Sequence, residues 1–292
     1  ALAAGVISSW LSSTVLVNLE SFAADLLFRL RGPAGDDSHT VIVAIDDASF
    51  TQNGLQWPWP RGYLAEIVSR VSSGNPKAIA IDIFLYEASD PAEDQALGRA
   101  IRDAGNVIVV NDISNQSQGG IEIRQLNRPI PEVSEAGATL GLTNFERDRD
   151  GVVRQLLAFQ SHNDRLYYSW ALQAARLYES AADFNVVSPD RVEIGDRIVV
   201  LEDQFLRVNY RGGAGAIPSV SAYQVVDGLV DPAQFAGKVV LIGATSESLH
   251  DSYPTPFGSQ PPMPGVEINA NAVETILNGL YIRQSGLLTG AV

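Results

Sequence analysis

Aspartates stand at the ends of the apolar runs in this sequence. Residues 41–45 (VIVAI) lead into Asp46-Asp47, residues 78–81 into Asp82, and residues 107–110 into Asn111-Asp112. A fourth run, Val239 to Ile242, ends in Gly243-Ala244-Thr245, with His250-Asp251, Glu267 and Asn269 further on. Carboxylates that meet at one edge could hold a cation, or divide the work of acid and base. Asp46, Asp82 and Asp251 are the set that a carboxylate-metal hydrolase would draw on. Each acid also has a plainer reading: Asp47 as a helix cap, Asp82 as an acceptor for loop amides, Glu267 in a helix first turn where the dipole favours a carboxylate.

A second group is aromatic. Trp57-Pro58-Trp59-Pro60-Arg61 combines two indoles with a guanidinium. Trp57 and Trp59 could stack on a ligand, with Arg61 beside them, or bury their area against a neighbouring loop. Pro60 suits the first turn of the helix that follows.

Other chemistries find little to work with. The chain has no cysteine, which removes disulfides, thiolate catalysis and Cys-ligated metals. It has three histidines, at 39, 162 and 250, a thin supply for a His-based triad or zinc site. Neither a Walker loop, nor a G-x-S-x-G elbow, nor H-E-x-x-H occurs, and RGGAGA at 211–216 lacks the G-x-G-x-x-G spacing. Asp148, Asp150 and Gly151 imitate only part of a calcium loop and read as a turn. A formal net charge of -14 speaks against nucleic acid, whose binding is dominated by basic contacts to phosphate.

The elements that must position these residues follow from periodicity. Short continuous apolar runs suit strands buried on both faces of a parallel sheet. Between the first two runs lies a helix striped by Leu64, Ile67, Val68 and Val71, with Gly74 as its expected cap. Between the second and third lies another, opened by Asp90-Pro91, striped by Leu97, Ala100, Ile101 and Ala104, and closed by Gly105. Three strand–helix units in about 70 residues imply right-handed βαβ crossovers.

The middle of the chain, about 113–212, reads as inserted hairpins. Residues 113–137 look irregular apart from Ile121 and Ile123. GLTNF and VVRQLLAF pair around Asp150-Gly151, and RVEIGDRIVVL turns at Gly195-Asp196. A helix covers 167–179, and FLRVNYRG is a further strand. After the last run, Pro264-Gly265 opens an amphipathic helix. The expected fold is α/β: an open, mostly parallel sheet with flanking helices, an antiparallel or mixed middle extension, and an N-terminal amphipathic helix. Its 292 residues with a hydrophobic fraction of 46% can bury a substantial core.

Residues 1–31 form a juxtamembrane helix in this reading. Leu16, Leu19, Ala23, Leu26 and Leu30 recur at helical spacing, Phe22 and Leu27 flank them, and the stripe is expected to pack on the domain. The small apolar stretch before it resembles the last turns of a membrane helix. GLLTGAV at the other end looks like the start of another, which leaves 32–283 as one domain between them and 284–292 as a juxtamembrane exit.

Several segments, in order, resemble one family. VIVAIDDASF, the WPWPR loop, PKAIAIDIFL, NFERDRDGVVRQ, VNYRG, GKVVLIGAT and PTPFG…MPGVEINANAVETILNG are similar to CHASE sensor domains of type two, over about 20–283. LESFAADLLFRLRG is similar to that family's helix after its first membrane span. The resemblance implies an input module and not an enzyme, lying on the extracytoplasmic side of the cell membrane and held by flanking helices. Its output would be a cytoplasmic cyclase or kinase, and its signal a small molecule or ion that the resemblance does not name. The strand-end edge is its expected pocket. A homodimer through the N-terminal helix, or a module that only dimerises and binds no ligand, are the further expectations.

Overall fold

The computed structural model describes residues 22–35, 37–118 and 121–283. Helix α1 covers 22–31, and β1 (Thr40–Ile45) follows it. Helices α2 (Asp47–Asn53) and α3 (Arg61–Ser72) precede β2 (Ala78–Asp82), and α4 (Pro91–Ala104) precedes β3 (Val107–Gln118) and β4 (Ile121–Asn127). Next come α5 (Pro131–Ser134), β5 (Thr139–Leu142), β6 (Phe145–Arg147), β7 (Val153–Leu157), β8 (Phe159–His162), β9 (Arg165–Tyr168) and α6 (Trp170–Tyr178). Strands β10 (Phe184–Ser188), β11 (Arg191–Ile194), β12 (Arg197–Val200), β13 (Phe205–Arg207) and β14 (Ser219–Ser221) lead to α7 (Ala222–Val226) and β15 (Val239–Ala244). The ribbon β16 (Ser252–Thr255) and β17 (Gly258–Pro264) runs into α8 (Gly265–Asn278).

The apolar runs are the central strands, as their composition predicts. The main sheet has the order β14-β1-β15-β2-β3, with parallel pairing throughout, and β3 continues the sheet in two ways. Its first residues pair with β5 in parallel, and Asp112 to Gln118 pair with β4 antiparallel. Side chains alternate across a strand, so each run feeds two cores. Val41, Val43, Ile45, Ile79, Ile81 and Ile242 bury against α3, α4 and α7. Ile42, Ala44, Ala80 and Leu241 bury on the opposite face with α6, α8 and the small antiparallel sheets of the middle region. A strand with water on neither face has no polar positions to show, which is why these runs are continuous.

Several local expectations change. The start of 113–137 is not irregular: it forms the long β3–β4 ribbon, whose polar residues hid its period. GLTNF splits, with β5 joining the main sheet while β6 alone pairs with β7 around the turn at Gly151. In FLRVNYRG only Phe205 to Arg207 is strand. Gly105 caps α4 with φ of 72°, as predicted. Gly74 does not cap α3 in the left-handed region. A Cβ there would stand 2.1 Å from the carbonyl oxygen of Pro232, so the glycine serves close packing.

The two ends of the fold depart most from expectation. Among the described residues of α1, the stripe faces outward: Phe22, Leu26, Leu27 and Leu30 are exposed. The face turned to the domain carries Asp25, which is buried, and Phe28, which packs edge-on against Tyr210 and Phe257. Leu16, Leu19 and 284–292 lie outside the described residues. At the other end, α8 is not amphipathic. Every residue from Gly265 to Leu277 is buried, and each polar one is matched by the chain around it. Glu274, for example, accepts from the amide and hydroxyl of Thr40 at 2.8 Å each and from Ser38 Oγ at 2.8 Å.

Candidate functional site

The carboxyl ends of parallel strands point their last peptide groups and side chains away from the sheet, and the loops that follow frame a crevice. In this chain the crevice is a cleft of about 660 Å³ at the ends of β2 and β15. One wall is the Trp57–Arg61 loop between α2 and α3. Ile83 to Glu87, the exit of β2, forms another, and β6 with Leu249 to Tyr253 closes the far side.

Asp82, the last residue of β2, lies at the foot of the cleft. Its Oδ2 accepts from Asn269 Nδ2 at 3.1 Å, which fixes the carboxylate against α8. Burial first, and then the negative charge of Asp251, push its pKa up to about 7, against the pull of the Asn269 hydrogen bond. Burial raises the pKa of Asp251 too, opposed by its hydrogen bond with Tyr253. Two carboxylates are therefore held near one another with little water, each favouring a proton or a cation. Glycines make this approach possible. A Cβ on Gly265 would lie 2.6 Å from Asp251 Oδ2, and one on Gly243 would lie 2.8 Å from Val266 Cβ and 3.1 Å from Asp82 Cβ.

Aromatic and basic groups complete the cleft. Trp57 and Trp59 stand 5.9 Å apart at 66°, and Trp59 also meets Phe50 and Tyr63 at 5.3 and 5.0 Å. Phe84 and Tyr86 pack together at 5.2 Å. The Arg147 guanidinium sits 4.8 Å over the ring of Tyr253, whose pKa burial and Asp251 push up to about 12. Arg61 is drawn back toward Asp94 at 3.7 Å, and burial lowers its pKa.

Of the residues singled out by sequence, Trp57, Trp59, Arg61, Asp82 and Asp251 line this cleft, and Asn269 reaches it through Asp82. The others are engaged elsewhere. Asp46, not Asp47, caps α2: it accepts from Ser49 N at 2.8 Å and Ser49 Oγ at 2.7 Å, and from Ser221 Oγ. Asp47 accepts from Ser246 Oγ. The backbone amide of Thr245 donates to Ile45 O at 3.1 Å. Glu267 is turned from the cleft to the 211–217 loop, where it accepts from Gly215 N at 2.9 Å and Ile217 N at 3.2 Å. The pairing order β1-β15-β2 separates Asp46 from Asp82 by two strand spacings, about 10 Å. The hydrolase set is not assembled, and among the described residues no three His, Cys, Asp or Glu side chains group to hold a metal ion.

Sequence reasoning missed Phe84, Tyr86, Phe145, Arg147 and Tyr253. The first two follow a recognised strand end and were within reach of the same argument as Asp82. Arg147 lies in a predicted hairpin, but nothing local says that this hairpin folds over the end of β2.

Comparison with known proteins bears on identity. No curated protein and no solved structure matches the chain. A family model described as CHASE2 domain matches residues 1–291, and CHASE2 domains are extracellular sensory domains of signalling proteins. Among the described residues no helix is long and apolar enough to cross a membrane. The extent of the family match, joined to the fold just described, makes this chain a member of the CHASE2 domain family.

Proposed function

We propose that this chain is the extracytoplasmic input module of a membrane-bound signalling protein, with 32–283 as the sensing unit and the cleft as the place where the signal is received. The output is a cytoplasmic cyclase or kinase, joined through membrane helices that flank the domain. One observation carries the reading. Arg31, at the end of α1, donates to Asn209 Oδ1, and Asn209 Nδ2 donates to Leu280 O at 2.8 Å just past α8. The chain enters and leaves the domain at one residue, so a change inside it acts on both connections together.

The outward face of α1 supports a second copy of the chain as partner. Leu16, Leu19, Ala23, Leu26 and Leu30 are spaced by three, four, three and four residues, the seam of a two-stranded coiled coil. The domain leaves Leu26 and Leu30, the described leucines of that seam, uncovered.

Placement across the membrane has a direct test, because this domain offers no competing thiol of its own. Phe84 is 62% exposed at the cleft rim. In intact cells making the protein with Phe84→Cys, a membrane-impermeant maleimide labels this site. Labelling that appears only after lysis overturns the extracytoplasmic placement.

A further inference from the structure

The cleft holds acidic and basic groups that lack an ion-pair partner among the described residues. Asp82 and Asp251 have no basic side chain within ion-pair distance among the described residues. Arg147 likewise has no carboxylate within that distance, and its guanidinium rests on Tyr253.

The two halves select different groups. A divalent metal held by two carboxylates would have to keep most of its coordination shell as water. A primary ammonium carries three donors and one charge, and two adjacent carboxylates satisfy both. The Arg147 guanidinium calls for an anionic acceptor, and a planar carboxylate fits it best. Trp57 and Phe84, which also line the cleft, expose apolar surface at 38% and 62%.

Resting on the reading of the cleft as the signal-binding site, we propose that it takes a small zwitterion of the amino-acid class with an apolar or aromatic body. The ammonium lies at Asp82 and Asp251, the carboxylate turns to Arg147, and the body rests on Trp57 and Phe84.

Three probes separate the parts: phenylalanine, phenethylamine, which lacks the carboxylate, and 3-phenylpropionate, which lacks the ammonium. Calorimetric titration of the whole chain should give phenylalanine at least about tenfold tighter binding than either half. Asp82→Asn should weaken phenylalanine and phenethylamine and spare 3-phenylpropionate, while Arg147→Gln should do the reverse. Thermal unfolding shows whether each variant is folded, and Trp57→Ala, at a partly exposed side chain, gives a second variant that should weaken all three probes. Equal affinity for phenylalanine and phenethylamine overturns the zwitterion, as does failure of phenylalanine, tryptophan and leucine alike to bind. A parallel panel of sugars, dicarboxylates and polyamines tells the two failures apart. A panel member whose binding Trp57→Ala abolishes leaves the cleft a signal site with another ligand class, and no binding by anything removes both readings.

Discussion

Asp82 shows how much a single side chain takes from its surroundings. In the sequence it is one of three acids that end apolar runs, with nothing to rank it above Asp46. In the structure, burial and Asp251 carry its pKa from an ordinary 3.8 to about 7. A carboxylate raised in the folded state holds a proton that the unfolded chain has already released. The stability it contributes is whole below about pH 4 and is lost as pH rises through about 7, at about 1.4 kcal/mol per unit between the two values. The melting temperature should therefore fall from pH 5.5 to pH 8, and Asp82→Asn should flatten that slope. Parallel slopes in the two proteins would show that Asp82 carries none of it. Asp150, held by Arg154 with its pKa lowered, acts in the opposite sense and below this window.

At the scale of elements, contacts distant in sequence decide what each helix does. Arg154, on β7, donates to Asp25 Oδ2 of α1 at 2.7 Å, to Asp148 at 2.6 Å and to Asp150 at 2.8 Å. The fragment that imitates a calcium loop thus completes an arginine cluster. Arg154→Ala strands the buried Asp25 and should cost about 3 kcal/mol, within the range for breaking a buried pair. Denaturant unfolding checks the loss, and hydrogen exchange should rise first in 22–31, the segment that the cluster ties down. Uniform loss of protection with no excess in α1 would place the effect in β7 alone. Helix α8 was legible as a helix from Pro264-Gly265 and its apolar spacing. Its buried polar residues were not, since Glu267 and Glu274 find their partners about 50 and 235 residues away.

For the molecule as a whole, the geometry of entry and exit matters more than the cleft's details. With α1 and the segment after α8 meeting at Asn209, a rearrangement near α8 reaches both connections. Asn269 links the cleft to that helix through Asp82. If two copies pair through α1, Leu30→Cys should form a disulfide-linked dimer of this chain under mild oxidation, since its 292 residues hold no other cysteine. Val187→Cys, also exposed, at 53%, but on β10, is the control and should remain monomeric. Cross-linking at both positions alike, or at neither, would count against the α1 interface.

The sequence by itself determined the parallel sheet, because strands buried on both faces must be apolar throughout. It determined the helix boundaries wherever a cap is local, as at Asp90-Pro91 and Gly105. The ordered set of segments from VIVAIDDASF to VEINANAVETILN was sufficient for the family, now borne out by a match over 1–291. Only the tertiary structure decided which polar residues share a cleft. That choice depends on strand order, with β15 inserted between β1 and β2, and on a hairpin brought over the sheet edge. Both are long-range pairings, and no side chain's neighbours along the chain encode them. The same reason reversed the reading of α1: periodicity shows that a stripe exists, but only its packing shows which way it faces.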